Sequence, residues 1–238
     1  MNRSDRPLLA VMIDAENVPA KHAAKILQEI ASIGEPALRR VYGDWSDVHL
    51  KSWREPIHSL GLVAHQESAN SKGKNASDIG LVIDAMDILH SGKFDGFVIV
   101  SSDSDFTALA NRLREDGLMV IGIGEEKTLP ALRNVYNRFI LVENLQDEEQ
   151  EEVIPKKKSS ADLNHAYQLI RNALERCDTD GNDWASLAIA GKNLMAAHPD
   201  FDTRSYGYAK LSGLIRALKQ LEFSNKDNRP MVRVRKKA

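Results

Sequence analysis

The sequence predicts an α/β protein, a parallel-sheet α/β/α sandwich with a second, smaller winged-helix domain. Three observations predict it. Short β-branched runs alternate with segments of helical period as far as residue 145. Two of those runs end abruptly in acids: Leu8-Leu9-Ala10-Val11-Met12-Ile13 leads into Asp14, and Val98-Ile99-Val100-Ser101-Ser102 leads into Asp103. Past residue 146, blocks of like charge with Pro and Ser interrupt the pattern, and beyond them helices give way to a basic, alternating C-terminus.

The elements follow in order. A strand over 8–13 precedes a helix over 19–32, where Pro19 suits the first turn. A strand near 37–42 comes next, then a helical stretch over 47–60 that Pro56 should kink or restart, then a short strand over 62–65. Residues 67–75 read as a polar loop. Residues 76–89 place Ile79, Val82, Ile83, Met86 and Leu89 at spacings of three and four, which predicts one buried helical face. A strand over 97–100, a helix over 106–116, and strands over 118–123 and 139–142 complete this part. The order β-α-β-α favours a parallel sheet covered on both faces.

The segment 147–160 reads as a charged linker, since it cannot bury enough surface to fold. It divides a domain over 1–146 from one over 161–238. In the second, Leu163, Ala166, Tyr167, Ile170, Ala173 and Leu174 mark an amphipathic helix, and further helices are expected over 185–197 and 210–221. Residues 222–235 alternate as a hairpin would, around a turn at 225–230.

The formal net charge of −2 hides an asymmetry. Residues 156–238 hold 16 Lys+Arg against 9 Asp+Glu, whereas residues 1–155 hold 16 against 25. An acidic half suits cation binding and a basic half suits a polyanion. Cys177 is the single cysteine, so no internal disulfide forms. No apolar run reaches the length of a signal peptide core or the ~20 residues of a membrane span. These features predict a cytoplasmic protein with no membrane partner.

Four acids stand out: Asp14 and Asp103 at strand tips, Asp78 and Asp105 near helix starts. Strand tips of an open parallel sheet share one edge, where ligand crevices form. Carboxylates gathered there repel one another unless a cation joins them, and hard oxygen ligands suit Mg²⁺ or Mn²⁺. Asn17 is placed to hold water or phosphate, Lys74 to engage a substrate phosphate, and Ser102 and Ser104 to support the ligands. Each acid by itself also reads as a helix cap or a turn residue. Asp84 and Asp87 are expected to face solvent or to lie at the site's margin. Gly122-Ile123-Gly124 lacks the third glycine of a dinucleotide fingerprint and reads as a loop. There is no phosphate-cradling Walker A sequence, and the seven histidines show no metal-ligand spacing.

Taken in order, Ile13-Asp14-Ala15-Glu16-Asn17, Lys74-Asn75-Ala76-Ser77-Asp78-Ile79 and Val100-Ser101-Ser102-Asp103-Ser104-Asp105-Phe106 resemble the NYN domain family of PIN-like nucleases, over residues 8–145. The resemblance implies a PIN-like α/β fold and Mg²⁺- or Mn²⁺-dependent RNA cleavage, an endoribonuclease activity. Asp14, Asp78 and Asp103 match the family's acidic positions, with Asp105 and Asn17 supporting. Ser102 is a departure, because the family often has glycine there.

The C-terminal residues 161–237 resemble the OST-HTH domain, also called LOTUS. Trp184, Phe201-Asp202-Thr203-Arg204-Ser205-Tyr206-Gly207-Tyr208, Lys210-Leu211-Ser212-Gly213-Leu214 and Phe223 before a basic strand carry that resemblance. It implies a winged helix associated with RNA. Independently, Arg204, Lys210 and Arg233 supply phosphate-binding charge, and Tyr206 is available for stacking. The expectation is a metal-dependent ribonuclease whose second domain holds the RNA. The competing expectation is a non-catalytic RNA-binding regulator.

Overall fold

The computed structural model describes residues 6–66, 76–145, 160–179, 183–226 and 229–235. The chain divides into two compact units, residues 1–147 and 148–238.

The first unit is built on a six-stranded, wholly parallel sheet: β1 (Leu8–Asp14), β2 (Glu35–Gly43), β3 (Val63–Gln66), β4 (Gly96–Val100), β5 (Met119–Gly124) and β6 (Arg138–Leu141), in spatial order β3-β2-β1-β4-β5-β6. The strand order reverses direction between β1 and β4. Ligand crevices form at the C-terminal ends of strands at such a switch point, because the connections leave them on opposite sides.

Alternation along each strand divides its side chains between two faces. Leu9, Val11 and Ile13 join Val98, Val100, Ile121 and Ile123 against the helix α1 (Ala23–Ile33), whose Ile26 and Ile30 are fully buried. Ala10 and Met12 join Phe97, Ile99 and Val120 under α3 (Ala76–His90) and α4 (Thr107–Glu115). β1 and β4 are central, so both faces are covered and almost every residue is buried. Each fully buried Leu, Ile or Val stabilises by about 1.5–3 kcal/mol.

Several local expectations change. In α3 the face on the sheet is Leu81, Ala85 and Ile88, with Val82, Met86 and Leu89 packed at its edge, while Ile79 and Ile83 are 60% and 59% exposed. Two apolar stripes lie side by side on this helix. The sheet takes the one containing Ala85, whose small side chain lets the backbones approach. Asp84 does not face solvent: it accepts hydrogen bonds from Arg40 and from the hydroxyl of Tyr42, both on β2. Of the two effects expected of Pro56, the structure shows the restart and not a kink: a 3-10 turn over Val48–Trp53, capped by Asp47, ends before α2 (Arg54–Ser59), and the proline falls in that helix's first turn. Residues 122–124 are strand rather than loop. A Cβ on Gly122 would meet the Tyr136 ring at 2.4 Å, so a missing side chain is what lets Tyr136 pack on the sheet. A short helix not expected from the sequence, α5 (Pro130–Arg133), precedes that tyrosine.

The second unit holds α6 (Ser160–Leu174), α7 (Leu187–Ala197) and α8 (Leu211–Ala217), with β7 (Ala185–Ser186), β8 (Leu221–Lys226) and β9 (Arg229–Val234) forming a three-stranded antiparallel sheet in the order β7-β9-β8. The hairpin is β8 with β9, pairing Leu221 with Val234. Residues 185–186, expected to begin a helix, form the short strand β7 beside β9. Ala166, Ile170, Leu194, Leu214, Ile215 and Val232 form its core. The charged linker lies largely outside the described residues.

Candidate functional site

Parallel registration brings the first two acids together. Ile13 pairs with Val100, so the next residues along, Asp14 and Ser101, sit side by side at the switch point. Ser101 donates a hydrogen bond of 2.9 Å from its Oγ to Asp14 Oδ2, and the same Oγ accepts the amide of Asp103 at 3.1 Å. Asp103 in turn caps the 3-10 turn Ser104–Phe106, its Oδ1 accepting the amide of Asp105 at 2.9 Å.

Asp14 is almost completely buried, at 1% exposure. A carboxylate there is costly unless its lone pairs are used. They are: Oδ1 accepts the amides of Glu16 and Asn17 at 3.1 and 3.3 Å, and Oδ2 accepts Asn17 Nδ2 at 2.7 Å as well as Ser101. Burial still outweighs these donors and raises the carboxyl above its ordinary range.

Asp78 enters from the first turn of α3, the helix that covers β1 and β2. The Arg40–Asp84 ion pair and the Tyr42 hydroxyl tie that helix to β2 two turns further on. Burial, then repulsion by Asp14, Asp103, Glu16 and Asp105 in that order, pushes Asp78 up to about 6. The acids therefore share one field, and each additional negative charge makes the next harder to hold.

An acidic edge of this kind suits an ion that keeps most of its own waters, because both oxygens of Asp14 are already engaged by protein donors. Among the described residues, no three His, Cys, Asp or Glu side chains close into a ready cage. Mg²⁺ needs no such cage, since it commonly takes one or two carboxylates directly and keeps several waters. Burial contributes most to the shift of Asp78, and the repulsion that adds to it is what a bound cation would remove.

Of the other expected residues, Asn17 is bound to Asp14, so its first role is to orient that carboxylate. Ser102 Oγ accepts the amide of Glu125 at 2.9 Å and ties the β4 turn to the end of β5. Lys74 lies outside the described residues. Reasoning from sequence favours Ser102 and Ser104 and misses Ser101. The signal is present in the strand phase, because Phe97, Ile99 and Ser101 point to the same face as Met12 and Asp14.

In the second unit, Lys210 is exposed at the start of α8. Arg204 is engaged by Asp202 at 2.6 Å, and Arg233 by Glu222 at 2.6 Å while it also lies over the Trp184 ring at 4.6 Å. Tyr206 packs on Phe201 at 5.6 Å, and its hydroxyl meets His165 at 3.1 Å. Only Lys210 among the four is both cationic and exposed.

Comparison with known protein families follows the same two-part division. The NYN domain model matches residues 8–143, and the OST-HTH/LOTUS domain model matches residues 162–232. No curated protein matches the chain. Among solved structures, the chain is similar to a protein of unknown function, VPA0982, from Vibrio parahaemolyticus RIMD 2210633. The similarity has 17% identity and a TM-score of 0.49, and covers 63% of this chain and 98% of that one. Among the described residues, no helix is long and apolar enough to cross a membrane.

Proposed function

This chain belongs to the NYN domain family and carries an OST-HTH/LOTUS domain after it, which supports an RNA-related nuclease, and from that premise we propose that it hydrolyses RNA phosphodiesters with Mg²⁺ or Mn²⁺. The observation that carries this reading is the shared field of Asp14, Asp78, Asp103 and Asp105 at the switch point of the sheet. Such an edge repels a phosphodiester unless a cation stands between them.

In this reading Asp14, Asp78 and Asp103 would hold the ion, one or two of them directly and the rest through its waters, and Asp105 would bind it or orient a metal-bound water. The ion would supply charge neutralisation on the scissile phosphate and lower the pKa of the attacking water. Asn17 and Ser101 fix the Asp14 carboxylate in place, which spares the site reorganisation when charge develops. The LOTUS domain binds RNA through Lys210 together with Arg204, Tyr206 and Arg233, with Lys74 a further contact in the first unit. Two tethered sites raise the local concentration of the polymer at the cutting edge.

The test is Mn²⁺-dependent cleavage of end-labelled RNA by the wild-type chain and by Asp103→Asn. The expected result is cleavage by the first, reduced about 100-fold or more in the second. Equal cleavage in both would exclude these acids as the site, and RNA binding with no cleavage in either would favour a regulatory RNA-binding protein.

A further inference from the structure

A hollow of about 540 Å³ is lined by residues 15–21, which follow Asp14, by residues of the Val48–Trp53 turn, and by Glu125 and Lys127 beyond β5. Its floor is apolar: Val18, Leu50 and Trp53 are buried there. Its rim is polar, with exposed Lys21, His49 and Ser52 along one side and half-buried Glu125 and exposed Lys127 along another. We propose that this hollow is a subsite for one unstacked nucleotide of single-stranded RNA, next to the phosphate that is cut. The inference rests on the ribonuclease reading above and adds to it a place for the substrate.

Three observations support it. The volume lies within the range of small-molecule pockets, roughly 300–1,000 Å³, and a base still stacked in a duplex cannot reach into such a hollow. Both walls are fastened to the acids. Asn17 on one wall donates to Asp14 at 2.7 Å, and Glu125 on the other donates its amide to Ser102, in the turn that carries Asp103. Trp53 Nε1 donates to the Ala15 carbonyl at 3.2 Å, so the floor is held to the same loop.

The chemistry also suits a nucleotide. An apolar floor accepts the flat face of a base, and an imidazole at the rim provides a second surface for stacking. Lys21 and Lys127 bring positive charge to a rim that also carries Glu16 and Glu125. Lys127 is paired with Glu125 at 2.6 Å on the surface, a pair weak enough to exchange for a phosphate.

The experiment uses the full chain carrying Asp103→Asn, so that RNA survives, and a single-stranded RNA hexamer containing 4-thiouridine. After long-wave irradiation, peptides are mapped by mass spectrometry. Crosslinks are expected on the peptides that carry Lys21 or His49 to Ser52. Adding Ser52→Trp, which fills the hollow, should lower the crosslink yield on those peptides about tenfold, while Ser52→Ala leaves it within about twofold.

Crosslinks confined to other peptides, or undiminished by Ser52→Trp, would overturn the proposal. A duplex of the same sequence that crosslinks equally well would overturn it too. Protection by uridine monophosphate at lower concentration than by unlabelled hexamer would replace it with a free-nucleotide site. If the crosslinks appear as expected but the wild-type chain cuts no RNA in Mn²⁺, the subsite stands and the nuclease reading falls. Cleavage without these crosslinks leaves the nuclease reading in place and removes the subsite.

Discussion

Ser101 and Asp14 lie 87 positions apart in sequence and are joined by one hydrogen bond of 2.9 Å across the switch point of the sheet. Because Ser101 also accepts the amide of Asp103, a single hydroxyl sets the spacing between two of the acids.

Ser101→Ala should therefore act on stability and on the site together. Removing a buried donor from a carboxylate costs about 1–3 kcal/mol, read as a lower urea midpoint with unchanged slope. The concentration of Mn²⁺ needed for half-maximal cleavage should rise, and Ser101→Thr, which keeps the hydroxyl, should restore much of it.

The pH dependence follows from Asp78. In the folded chain it ionises at about 6, against an ordinary value of 3.8, so between those values the folded state keeps a proton that the unfolded state has released. Stability in the absence of divalent cations should fall as pH rises through that window. Millimolar Mn²⁺ should raise Tm at about pH 7.5, where Asp78 is ionised, and have little effect at about pH 5. Asp78→Asn should flatten the metal-free profile. Differential scanning calorimetry at several pH values measures all three.

Asp84 serves as a control acid. It is satisfied by Arg40 and Tyr42, so Asp84→Asn should lower stability by about 1–3 kcal/mol while leaving the metal dependence of cleavage in place. A loss of metal response equal to that of Asp103→Asn would move Asp84 into the site.

Gly122→Ala should destabilise the first unit by about 1–3 kcal/mol, since its new methyl meets the Tyr136 ring. Tyr136→Ala opens the space and leaves a cavity of its own, so the double variant should lose less than the sum of the two single losses. Chemical denaturation of the four chains completes the cycle.

In the second unit, Lys210→Ala should reduce the slope of log affinity against log salt for RNA by about one. Arg204→Ala should change it less, because its guanidinium is held by Asp202. Fluorescence anisotropy over a salt series distinguishes them.

The sequence by itself determined the class of fold, because a repeating alternation of strand and helix period leaves few topologies, and it determined which acids lie at strand tips, because side-chain type and strand ends are local properties. Tertiary structure alone decided which neighbours those acids have. Periodicity could not choose between the two apolar stripes of α3, so Ile79 and Ile83 lie exposed where burial was expected. Nor could it show that Ser101, rather than Ser102, bonds to Asp14, or that Asp84 is committed to β2. Each of these depends on strand register and helix rotation, which packing across the whole sheet sets and no short stretch of chain contains.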